Sequence, residues 1–178
     1  MKKNTERKGV ENMNFNRTDL ELSGFKGFVQ ISSLKKDRCR EVPKNKGIYV
    51  VYFESNQGPK FLAKSIGGRH KGQDPTVEIS VLKKNWVDGA KALYIGQAGG
   101  KGSKATLSSR LKQYMDSGDK NKTSGHWGGR YIWQIAESDN FLIAWRSEEE
   151  HDPRDVEDEL LTSFYKQYCC LPFANLTR

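Results

Sequence analysis

Gly47-Ile48-Tyr49-Val50-Val51-Tyr52-Phe53 decides the architecture of this chain. The run is β-branched and aromatic throughout and shows no alternation of polar and apolar residues. It follows Pro43-Lys44-Asn45-Lys46, a turn-forming stretch, and so predicts a strand buried on both faces. Downstream, Ala92-Leu93-Tyr94-Ile95-Gly96 reads as a second short buried strand. Gln57-Gly58-Pro59 is a turn, and residues 61–64 form a short partner strand. Helices are expected over 77–87 and 106–115. Residues 130–135 and 141–145 read as strands joined by the hairpin turn Glu137-Ser138-Asp139-Asn140. Pro153 opens a last helix in its favoured first-turn position, ending near Cys169. Phe25, Phe28, Ile31 and Leu34 stand near helical spacing. This order predicts a small α+β domain with a mixed or antiparallel sheet.

Composition limits what such a domain does. The 178 residues carry 30 Lys and Arg against 22 Asp and Glu, a net +8, with 19 aromatic residues. The charge is uneven: residues 147–159 hold eight acids and one base, leaving the other 165 residues at +15. A basic body of this kind points towards a polyanionic partner. No apolar run approaches a membrane span, and the basic N-terminus lacks the apolar segment of a secretory signal. Cys39, Cys169 and Cys170 have no metal-finger or redox spacing, so reduced thiols in a cytoplasmic protein are expected. Residues 1–16 are basic and aperiodic and read as a flexible arm, with 17–178 as a single domain.

Two helices carry residues of chemical interest. At about 100° per residue, Val156, Leu160, Phe164, Tyr168 and Leu161 form one stripe of the last helix. Glu157 falls inside that stripe, whereas Asp158 and Glu159 face away. A carboxylate on a core-facing stripe is costly unless it is paired or metal-bound, so Glu157 is either half of a buried ion pair or a functional carboxylate. On the 106–115 helix, Arg110 flanks the Leu107, Leu111 and Tyr114 stripe. It suits either a phosphate contact or an edge ion pair. Tyr49 and Tyr94, taken alone, are core tyrosines.

Gly47-Ile48-Tyr49 and Tyr94-Ile95-Gly96, followed by Arg110 and Tyr114, then Glu157, then Pro172 and Asn175, resemble the core of the GIY-YIG nuclease superfamily over residues 47–175. The resemblance implies an α/β sandwich with a central three-stranded antiparallel sheet flanked by helices, here with an insertion over about 54–91. It implies a divalent-metal-dependent endonuclease using Mg²⁺ or Mn²⁺ on DNA, double-stranded or branched. Carried over by position, Tyr49 is the candidate general base and Tyr94 helps position the water or phosphate. Arg110 neutralises the scissile phosphate, Tyr114 holds a tyrosine-or-histidine position, Glu157 binds the metal and Asn175 closes the site by hydrogen bonding. Lys64 and Arg69 of the insertion, Lys101 and Lys104 of the loop after the second motif, and His126 and Arg130 of His126-Trp127-Gly128-Gly129-Arg130 are candidate nucleic-acid contacts. A non-cleaving nucleic-acid-binding module on the same fold is the alternative.

Overall fold

In the computed structural model, which describes residues 13–123 and 126–177, the 47–53 run becomes strand β2 (Gly47–Tyr52), with all six residues buried. Its burial follows from its place in the sheet. The other strands are β1 (Lys26–Gln30), β3 (Ala92–Ala98) and β4 (Leu142–Ser147). They form one four-stranded antiparallel sheet in the order β1-β4-β2-β3. The interior pair β4 and β2 is hydrogen-bonded on both sides, and β3 is an outer strand.

Side chains alternate across the sheet, as the strand period demands. Ile48, Val50 and Tyr52 point into one core layer together with Ile95, Val156, Leu160 and Phe164. Tyr49 and Val51 point into the other, with Tyr94, Leu107, Leu111, Tyr114 and Trp133. The first layer is covered by α1 (Arg17–Leu22) and α5 (Pro153–Tyr168). The second is covered by α2 (Ile31–Asp37), α3 (Ile79–Asn85) and α4 (Leu107–Ser117).

The two helices that carry the candidate residues start firmly. Thr106 Oγ1 accepts from Ser109 N, and Ser109 Oγ accepts from Thr106 N, a reciprocal cap on α4. Asp152 caps α5 by accepting from Arg154 N at 2.9 Å, and its second oxygen accepts from Lys101 N at 2.9 Å. One carboxylate therefore ties the glycine-rich 98–104 loop to the start of α5.

Four expectations are corrected. The sheet has four strands rather than three, because Lys26–Gln30 pairs with β4. The helical spacing of Phe25 and Phe28 arises from a bulge: Phe28 takes φ +54° and the register shifts between Gly27 and Val29. Second, Arg130–Gln134 is a 3-10 turn and not a strand, so there is no hairpin to β4. Tyr131, Ile132, Trp133 and Gln134 are all buried, leaving no polar side for a hairpin to show to water. Third, the strand expected at 61–64 reduces to a single bridge between Phe61 and Ile135. Finally, residues 1–12 of the expected arm lie outside the described residues. Met13 and Phe15, expected in that arm, are instead buried, with Phe15 edge-on to Phe164 at 5.1 Å.

The insertion is built into the core. Leu62 N donates to Gln134 O, Ile66 N to Trp133 O, and Ala136 N to Lys60 O, at 2.8–2.9 Å. The Gln134 side chain completes this seam. Its Oε1 accepts from Val77 N at 2.9 Å, and its Nε2 lies 3.0 Å from Leu62 O and 2.7 Å from Val77 O. Phe61, Trp86 and Phe173 pack together beside it. Among the described residues, no helix is long and apolar enough to cross a membrane, and the three cysteines are free.

Candidate active site

The sheet register brings the two motif tyrosines together. Tyr49 on β2 faces Gly96 on β3, and Tyr94 faces Val51. Cross-strand partners share a face, so both phenols enter the layer under α4. A Cβ on Gly96 would stand 2.5 Å from Tyr49 Cζ. The glycine is thus the space in which the Tyr49 ring lies. Tyr114, from α4, completes a group of three rings. Its centroid is 6.0 Å from that of Tyr49 and 5.8 Å from that of Tyr94, with which it stacks, and the Tyr49 and Tyr94 centroids are 6.0 Å apart.

These phenols differ in access and in partners. Tyr114 Oη donates to Gly129 O at 3.2 Å. Tyr49 is fully enclosed, at 0% exposure, and its hydroxyl makes no hydrogen bond of good geometry, although the Tyr94 phenol lies near enough to perturb it. Burial, reinforced by the neighbouring phenols, pushes Tyr49 well above the usual phenol range. Burial does the same to Tyr114. Tyr94 is pushed up to about 12, first by burial and then by the negative charge of Glu157.

Arg110 leaves the α4 stripe half-buried. Its Nη1 donates to Gln113 Oε1 at 3.3 Å, and its Nε is buried with no hydrogen-bond partner. It forms no ion pair among the described residues. Its charge nonetheless acts on four groups: it lowers the values of Tyr49, Tyr94, Glu157 and His126.

Glu157 approaches from the opposite side of the sheet. Its neighbours on α5, Val156, Leu160 and Leu161, are buried in the layer beneath, while Glu157 itself is only partly covered. Burial raises its carboxyl to about 7 against the opposing pull of Arg154 and Arg110, with Asp158 adding to the rise. No cluster of three or more His, Cys, Asp or Glu suited to a metal occurs among the described residues. A desolvated single carboxylate still fits a divalent cation. Such a cation would offset the burial, and Mg²⁺ keeps several waters and takes one or two carboxylates together with substrate phosphate.

The remaining expected residues divide. Asn175 does not turn to the phenols. Its Oδ1 accepts from Ile95 N at 2.9 Å and its Nδ2 donates to Ile95 O at 2.8 Å. It thus occupies the outer backbone edge of β3 as a strand would, a positioning role. His126 lies in the site rather than on an outer rim: its ring meets Tyr114 edge-on at 5.5 Å. Burial, with Arg110 and His70 adding, lowers it to about 4. Arg130 lies over the Trp127 ring at 4.4 Å, and His70 packs on the same indole at 5.2 Å. Lys64, Arg69, Lys101 and Lys104 are exposed, and Arg69 donates to Gly72 O at 3.1 Å.

The enclosure of His126 and the seam held by Gln134 were missed from sequence. Two signals were present. A polar glutamine interrupts the apolar stretch 131–135, and paired glycines follow the histidine. A cavity of about 180 Å³ between α2 and α4, lined by Leu34, Arg38, Cys39, Lys112 and Met115 among others, shares no residue with the site. Comparison of the chain with protein-family models, with curated proteins and with solved structures finds no match.

Proposed function

We propose that the protein is a metal-dependent endonuclease that hydrolyses phosphodiester bonds in DNA, on a fold similar to that of the GIY-YIG nucleases. The observation that carries this reading is the position of Arg110. Among the described residues its guanidinium has no carboxylate partner, its Nε is buried without a hydrogen bond, and its charge opposes the upward shifts of Tyr49, Tyr94 and Glu157. Phosphodiester hydrolysis needs just these elements: charge neutralisation at phosphorus, a held water and an acidic ligand for a cation.

In this reading Arg110 binds the scissile phosphate through a planar fork suited to two oxygens. Glu157 holds one divalent cation, which when bound polarises the phosphate and stabilises developing negative charge. Tyr94 orients the phosphate or the attacking water. Tyr114, anchored on Gly129, keeps the phenol group in register. Tyr49 packs and positions, since an enclosed phenol with a raised pKa is a poor base. The basic remainder of the chain, exposed Lys101 and Lys104 included, draws the polyanion in.

The enclosure of Tyr49 also favours a second reading, a nucleic-acid-binding module that does not cut. One experiment separates the two. Duplex, nicked and branched DNA are incubated with the protein in Mg²⁺ or Mn²⁺, using wild type and Glu157→Ala. Products from wild type alone support the endonuclease. Salt-dependent binding with no products from either protein supports the module.

A further inference from the structure

Three arginines among the described residues are partly buried: Arg110, Arg130 and Arg146. Arg146 is paired with the buried Glu148. Among the described residues the other two have no carboxylate partner, and Arg130 makes no hydrogen bond either. A partly desolvated cation without an anion is unfavourable. Two such cations in one region call for anions from outside the chain.

Arg130 is held by rings rather than by charges. Its Cζ lies 4.4 Å from the Trp127 centroid and 5.2 Å from that of Tyr131, which is itself buried against Phe173. Stacking fixes the plane of a guanidinium and leaves its N–H edge free. None of the Arg130 nitrogens is both enclosed and unpartnered, so that edge faces solvent. Both arginines are rooted at Tyr114. Arg110 stands about one turn before it on α4. Arg130 directly follows Gly129, which turns the chain at φ +72° and whose carbonyl accepts from the Tyr114 hydroxyl at 3.2 Å. The two cations therefore start from opposite ends of one phenol.

We propose that Arg130 holds a second backbone phosphate, the neighbour in the strand of the one on Arg110, so that the unit recognised is two consecutive phosphates joined through one nucleoside. This inference rests on the proposed reading of Arg110 as a phosphate ligand. A planar fork takes two oxygens of one phosphate, and forks rooted at opposite ends of a phenol match two anions rather than one. Trp127 and Tyr131 pre-set the Arg130 guanidinium, so little side-chain freedom is lost when the strand binds. Arg130 is a positioning residue: its grip on the flanking phosphate fixes the direction of the strand across Arg110 and Glu157.

The test uses the full chain without metal and two small probes, thymidine 5′-monophosphate and thymidine 3′,5′-bisphosphate. Their affinities are measured by calorimetry at low salt for wild type, Arg110→Gln, Arg130→Gln and Arg130→Lys. Wild type should bind the bisphosphate about tenfold or more tightly than the monophosphate. Arg130→Gln should lose that preference and keep its monophosphate affinity, whereas Arg110→Gln should weaken the monophosphate. Arg130→Lys keeps the charge without the fork, so its preference should fall between; it also covers the case in which the glutamine variant unfolds. Arg130→Gln should lower the salt slope of duplex binding by about one. Equal affinities in wild type, no binding of either probe, or a preference retained in Arg130→Gln overturns the assignment. An equal loss for both probes in Arg130→Gln means that the two arginines share one phosphate, and overturns it too. Cleavage of duplex, nicked and branched DNA in Mg²⁺ is read separately. A bisphosphate preference that depends on Arg130, with no cleavage by wild type, keeps the two-phosphate grip and refutes the endonuclease.

Discussion

Replacing Glu157 by Gln should stabilise the protein at neutral and alkaline pH while abolishing the proposed cleavage. The carboxyl is raised from 4.5 to about 7, chiefly by burial. Its folded-state value therefore lies above its unfolded one. The folded state binds the proton more tightly, so this group's contribution is fully present below about pH 4.5 and is lost as pH rises through about 7. At about 1.4 kcal/mol per unit, ionised Glu157 costs on the order of 3 kcal/mol above pH 7. Glutamine has the same shape and no charge, so it removes this cost. Urea unfolding of metal-free wild type and Glu157→Gln should show no difference near pH 4 and a difference of roughly 2–3 kcal/mol in favour of the variant near pH 8. For a chain of this size, that is about 5–10 °C in melting temperature. His126 runs the opposite way: lowered to about 4, it withdraws stability as pH falls below about 6.5. It is present in both proteins, so it cancels in the comparison. Mg²⁺ should raise the melting temperature of wild type and leave that of the variant unchanged. A variant less stable than wild type near pH 8 would refute the reasoning, since it would mean that Glu157 is held by a favourable ion pair.

Three further outcomes follow from single contacts. Arg110→Lys should slow the proposed cleavage by about a hundredfold or more with little change in melting temperature, because among the described residues the guanidinium's one hydrogen bond is to Gln113 on the surface; single-turnover kinetics and a thermal melt read the two effects separately. Tyr49→Phe removes a buried hydroxyl that has no hydrogen bond of good geometry, so stability should hold or rise by up to about 1 kcal/mol, and the proposed cleavage should persist; loss of all activity would restore Tyr49 as the base. Gln134→Leu strands Val77 N, Val77 O and Leu62 O and should cost at least about 3 kcal/mol in chemical denaturation.

What could be read in the sequence depended on whether the signal was local. The runs at 47–53 and 92–96 are continuous because β2 and the inner side of β3 are covered on both faces, and a stretch of that kind has few alternatives. The α5 start is equally local: Asp152 and Pro153 are cap and first-turn residues whatever the rest of the fold does. The partial burial of Glu157 was legible because helical geometry alone places it beside Val156 and Leu160; Glu159, expected to face away, is covered to a similar degree. Residues 130–135 misled because an apolar run looks the same whether it is buried by a sheet or by a loop. Here it is buried by residues 60–77, more than fifty positions away. Met13 and Phe15 were hidden in the same way, as the core layer they join includes Phe164, the edge-on partner of Phe15, near the other end of the chain. The enclosure of His126 depends on where the insertion packs, which no spacing within 126–130 reveals.

The proposed endonuclease site needs β3 to be an outer strand, and that requirement would account for Asn175. Arg110 belongs to the helix on one face of the sheet and Glu157 to the helix on the other. A further strand paired beyond β3 would lie between them, and the two charges could no longer act on the same phosphate. An outer strand, however, exposes backbone N–H and C=O groups that invite pairing with another chain. The tail after α5 resolves the conflict at small volume. Asn175 takes both the N–H and the C=O of Ile95 with one amide, and Ala174 N donates to Leu93 O at 2.9 Å. The edge is satisfied at the level of the motif, and no strand is added beyond β3 among the described residues. In the proposed endonuclease Asn175 would act through geometry: its amide is spent on the backbone of the residue between Tyr94 and Gly96, and that backbone fixes where the Tyr94 phenol stands and where the Tyr49 ring can lie.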